Sequence, residues 1–153
     1  MKIAIAAVVL AFASGAYAQE QFVCQYVGAP GPEPLAEGRA VQVNNFSCVV
    51  KGGVMDGGVL TGIQAYEFKG PEGKMVIGSG VIRAPGAITM YQTQDASLSI
   101  AMKDGKPTGA TGQGKGVMKL ASGKAAEFAG KTYTYKVKTT GPASFVIDVT
   151  WDK

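Results

Sequence analysis

Few side chains in this sequence could do chemistry, and their types narrow the field. The 153 residues include no histidine. That removes the base of a serine triad, the activator of a cysteine nucleophile and the side chain that titrates nearest neutrality. Carboxylates and phenols remain. Glu67 lies between Tyr66 and Phe68, and Glu127 precedes Phe128. A carboxylate held among apolar groups has a raised pKa and can serve as acid or base. Glu67 is therefore the candidate catalytic residue, although strand alternation on its own would turn it outward. Tyr66, Tyr91, Tyr133 and Tyr135 are the candidate ligand-binding residues. A phenol offers an apolar ring with one hydrogen-bonding end, which suits a cavity mouth and a packed core alike.

Other constellations fail on context. Gly109-Ala110-Thr111-Gly112-Gln113-Gly114-Lys115 has the spacing of a phosphate loop. Gly116 then stands where Ser or Thr would hold magnesium, and strand-like sequence follows where a helix is required. Structural glycines account for it. The acidic residues are dispersed, and Asp56 lacks the further oxygens of a calcium loop; without histidine a zinc site has too few ligands. No metal and no cofactor are expected. A net charge of +4 carried by scattered lysines leaves no footprint for nucleic acid.

Met1-Lys2, the apolar run Ile3 to Phe12 and Ala16-Tyr17-Ala18 read as a cleavable signal helix, residues 1–18, cut after Ala18. The apolar run is too short to cross a bilayer, and no later run is long enough, so stable membrane insertion is not expected. The product is exported, periplasmic or extracellular, and residues 19–153 form a single domain. In an oxidising compartment Cys24 and Cys48 are expected to pair. Closing that loop contributes about 3 kcal/mol in the chain-entropy picture. A free catalytic thiol would have no histidine to activate it.

The elements that must position these residues read as strands. Lys131 to Lys138 alternates cleanly, with Tyr133, Tyr135 and Val137 on one parity and Thr132, Thr134, Lys136 and Lys138 on the other. Phe145, Ile147, Val149 and Trp151 do the same near the end of the chain. Upstream, Gly112, Gly114 and Gly116 leave one face of a strand bare, so it can bend or take a large neighbouring side chain against its backbone. Further strands are expected over 21–28, 41–50, 59–69, 74–83, 87–93 and 98–103. Turns are expected at Gly70-Pro71, Pro85-Gly86 and Asp104-Gly105. Pro30, Pro32 and Pro34 make 29–38 a loop. Only Lys124 to Ala129 has helical potential, one turn before Gly130 stops it. Eight or nine short strands predict an all-β fold, an antiparallel closed barrel of about eight strands.

Ser122-Gly123, then Phe128-Ala129-Gly130-Lys131 and the Thr- and Tyr-rich strand from Thr132, resemble the barrel family of allene oxide cyclases and dirigent proteins. The alternating glycines upstream suit that fold too. The family's doubled Gly-Gly-Thr-Gly stands here as Gly123-Lys124-Ala125-Ala126. The resemblance implies a barrel of eight antiparallel strands with a central cavity; no catalytic position carries over, and the bacterial-type signal peptide argues against a plant hormone pathway. The leading expectation is a non-enzymatic binding or structural module for a small apolar ligand. The alternative is a cyclase or isomerase of the allene oxide cyclase type, with Glu67 or a tyrosine stabilising charge. A solidly packed barrel would leave room for neither.

Overall fold

A computed structural model of the protein describes residues 19–28 and 31–152. The expected signal helix lies outside the described residues. The strands are β1 (Glu20–Val27), β2 (Glu33–Pro34), β3 (Arg39–Lys51), β4 (Val59–Lys69) and β5 (Glu72–Ala84). They continue as β6 (Ala87–Lys103), β7 (Lys106–Gly123), β8 (Thr132–Gly141) and β9 (Ser144–Trp151). No α-helix occurs among the described residues; two 3-10 turns, Ala36–Gly38 and Ala126–Phe128, are the helical content. The single turn expected before Gly130 is the second of these, and Gly130 ends it at φ +80°. No helix of the described residues is long and apolar enough to cross a membrane.

The sheet closes on itself. From β3 to β9 each strand pairs antiparallel with the next, and β1 pairs with both β9 and β3. β1 covers Asn45 to Lys51 of β3, while two-residue β2 covers Ala40 and Val41 at the other end of the same strand. The closed barrel thus has eight strands, and an open edge is avoided by closure. Its stagger follows from the register. Partners run from Phe22 through Ile147, Val137, Gly112, Leu98, Gly73 and Phe68 to Ala40, yet Phe22 itself pairs with Val50. The ladder therefore returns 10 residues displaced along β3, from position 40 to position 50. Eight strands with that stagger tilt by about 40° and enclose a radius of about 8 Å.

A barrel of that radius is filled by side chains unless something makes room. Alternate residues point inward: Phe22 and Cys24 from β1, Phe46, Cys48 and Val50 from β3, Leu60 and Tyr66 from β4, Phe145 and Val149 from β9. One end is plugged. There the β3–β4 loop inserts Met55, only 2% exposed, and the turn Ala126–Phe128 lays Phe128 against Trp151 with ring centroids 4.5 Å apart. Asp56 caps that loop by accepting a 2.7 Å hydrogen bond from the Gly52 amide.

The 87–93 and 98–103 segments prove to be one strand, β6, of 17 residues. A bulge explains why the pattern broke: Thr93 pairs with Gly116 but Asp95 with Lys115, leaving Gln94 extra. The inward parity switches there from odd (Tyr91, Thr93) to even (Ala96, Leu98) without the strand ending. The Asp104-Gly105 hairpin forms as expected, both residues at positive φ as a type I′ turn demands.

Candidate functional site

The site is the barrel interior, and the glycines decide where its rings lie. Gly114 and Gly116 of β7 are the register partners of Tyr135 and Tyr133 of β8. A Cβ on Gly114 would sit 2.6 Å from Tyr135 Cζ and 2.7 Å from Ala96 Cβ. On β4 and β5, Gly62 and Gly80 give the same clearance to Tyr91, with Phe46 also against Gly62. Each missing side chain is thus a seat for an aromatic ring from the next strand. The bare glycine face read from sequence has this use.

Tyr66, Tyr91, Tyr133 and Tyr135 all line one interior cavity, joined by Phe46, Phe145 and Trp151. The rings interlock: Tyr91 and Tyr133 meet edge to face at 6.4 Å, Tyr133 and Trp151 at 5.5 Å, and Tyr133 and Tyr135 lie 6.2 Å apart. Thr93 is the polar side chain that both Tyr133 and Tyr135 face. Gln64 Nε2 donates to the Tyr26 hydroxyl at 3.4 Å from the opposite wall. The space left for the centres of water-sized spheres is about 60 Å³. At roughly 10–15 Å³ per water this corresponds to about four to six molecules, or roughly 120–180 Å³ of liquid. That is room for one aromatic ring.

Burial dominates the electrostatics. Removal from water pushes the Tyr66, Tyr91 and Tyr133 phenols far above their usual range, and neighbouring tyrosines push the same way. Tyr135 is pushed up to about 12 by burial, opposed by the nearby Thr93 hydroxyl. Tyr26 is raised by burial as well. These phenols hold their protons at any physiological pH. They are hydrogen-bond donors in an apolar chamber, not bases.

The carboxylates lie elsewhere. Glu67 is on the outer surface, where it accepts a 2.8 Å ion-paired hydrogen bond from Arg39 Nη1. Glu127 is exposed beside Lys131, Nζ to Oε2 3.5 Å. Among the described residues the cavity lining contains no carboxylate, and no three potential metal ligands come together. Cys24 and Cys48 are register partners on β1 and β3 and form a disulfide buried inside the barrel.

Glu20 was not singled out from sequence. It is 1% exposed beneath Trp151, facing the amides of Val54 and Met55 and the Trp151 indole N–H, none of them in good hydrogen-bond geometry. Burial raises its pKa, opposed by those same donors. The signal was present: Glu20 shares parity with Phe22, Cys24 and Tyr26. Tyr26 could have been found on the same grounds.

In comparisons with known proteins, the chain matches no family model, no curated protein and no solved structure.

Proposed function

We propose that this is an exported, non-enzymatic barrel that binds one small, flat, largely apolar molecule bearing a hydrogen-bond acceptor such as a carbonyl oxygen. The observation that carries the reading is the convergence of Tyr66, Tyr91, Tyr133 and Tyr135 on one residual cavity the size of a single ring. Apolar walls supply the transfer free energy, about 25 cal/mol for each Å² of ligand surface removed from water. Protonated phenols supply orientation, because an acceptor bound there meets donors already desolvated and held by packing. The buried disulfide is consistent with a periplasmic or extracellular setting. Kinship with the allene oxide cyclase and dirigent barrels belongs to the same proposal; the eight-stranded closure and the Phe128-Ala129-Gly130 turn support it. The cyclase alternative has less support, since Glu67 is turned outward to Arg39.

Benzaldehyde and toluene share a ring and differ in the carbonyl, so the pair isolates the donor contribution. Titrations followed by NMR should show both entering the barrel, benzaldehyde more tightly. Equal affinities would remove the role given to the phenols. Absence of binding by either would leave a barrel filled for structural purposes alone.

A further inference from the structure

The β5–β6 ladder is interrupted partway along its length. β5 and β6 pair from Glu72–Lys74 with Ser97–Ser99 and again from Ser79–Ala84 with Ala87–Gln92. The register is the same on both sides of the break, so Met75 stands opposite Ala96, Val76 opposite Asp95, Ile77 opposite Gln94 and Gly78 opposite Thr93, none in ladder pairing. Both strands bulge at this level against their other neighbours. Val76 is the extra residue against β4, and Gln94 against β7. Two facing bulges disrupt the ladder locally and mark a short seam between the strands.

The seam has an apolar outside and the phenols inside. Val76 and Ile77 are 62% and 54% exposed at its outer lip, and the neighbouring Ile63, itself partly exposed, belongs to the cavity lining. On the inner side Met75, Gly78 and Thr93 line the cavity. A Cβ on Gly78 would lie 2.8 Å from Thr93 Cβ and closer still to the Met75 sulfur, so Met75 and Thr93 close the gap over bare backbone. The plugged end offers no comparable weakness, being filled by Met55 and Phe128.

We propose that ligand passes between solvent and cavity sideways through the β5–β6 seam, with the Met75 thioether as the side chain that swings aside and sets the width admitted. Met75 suits the task, since its unbranched thioether changes rotamer with little strain. Val76 and Ile77 present an apolar landing on the outside. This rests on the ligand-binding reading above, but its test need not fall with it.

Val76→Cys with Asp95→Cys places a reversible clip across the seam, on the outer surface and away from the buried native disulfide. Benzaldehyde exchange measured by NMR should slow at least about tenfold on oxidation, recover on mild reduction, and leave Kd within about twofold, because a blocked route changes on- and off-rates together. Met75→Ala should speed exchange. Rates indifferent to the clip would overturn the route while leaving binding intact. Dissolved xenon, read by its own NMR signal, is the second probe and needs only an apolar void. Xenon exchange slowed by the clip in a protein that ignores benzaldehyde would uphold the route and sink the ligand reading. Xenon exchange unaffected by the clip, or no xenon uptake, would overturn the route.

Discussion

Tyr135 lies across the α-carbon of Gly114, so close that one methyl group on the glycine would sit 2.6 Å from the ring carbon bearing the hydroxyl. Gly114→Ala should therefore cost about 1–3 kcal/mol through overpacking. Gly31→Ala, where nothing lies within 4 Å, is the matched control and should be near neutral. Denaturant midpoints of the two variants decide it; equal midpoints would mean the ring is free to move off its seat.

Alkaline titration should reveal the buried phenols. All five described tyrosines have pKa values raised by burial. Below pH 10 folded and unfolded chains hold the same phenolic protons, so this stability is fully present. Above it the unfolded chain ionises first, and stability falls as pH rises. Tyr135, displaced from 10.0 to about 12, contributes about 2 kcal/mol of that loss by pH 12. Phenolate absorbance from the region 19–152 should appear with unfolding. Its appearance near pH 10 in the folded protein would contradict the burial described.

Glu20 gives the opposite kind of test. Its folded pKa is raised, so its contribution is present below the unfolded value of 4.5 and is lost as pH rises through the folded one. At pH 7, above the unfolded value, burial of this group works against folding. Glu20→Gln should raise the urea midpoint at pH 7 and leave it nearly unchanged at pH 4. A lower midpoint at pH 7 would show instead that the Val54, Met55 and Trp151 donors more than offset desolvation.

Glu67→Gln removes an exposed pair with Arg39 and nothing inside the barrel. Stability should change by less than about 1 kcal/mol, and benzaldehyde affinity should not change. Tyr135→Phe should weaken benzaldehyde by roughly 2- to 12-fold, one neutral hydrogen bond, and leave toluene unaffected. Any large effect of Glu67→Gln on binding would restore that carboxylate as a site residue.

Parity made much of this fold legible. Tyr133, Tyr135, Phe145 and Val149 face inward as alternation demands, and the glycine run of β7 does receive rings from its neighbour. Alternation fails where a bulge inserts a residue, as at Gln94, because one extra position inverts everything after it while hydrogen bonding continues on the far side. Glu20 escaped notice for a different reason. Residue type argued for the surface against its inward parity, and the loop carrying Met55 together with Trp151, both distant in sequence, covers it. The cavity volume was beyond reach, since it depends on the stagger with which the ladder returns to β3, and no local pattern encodes that.

Closure through β1 has a consequence for how the chain assembles. The segment nearest the amino terminus is made first, yet one of its two partners, β9, ends at Trp151. Hairpins from β3 onward can form one after another as they appear, whereas the final seal waits for contacts spanning almost the whole described sequence, the slow class of event in folding. The Cys24–Cys48 bond needs only 24 residues of separation and can fasten β1 to β3 early. The rim of β9 then stays open until last, and a nascent chain stalled there would present a free strand margin to chaperones or to its own kind.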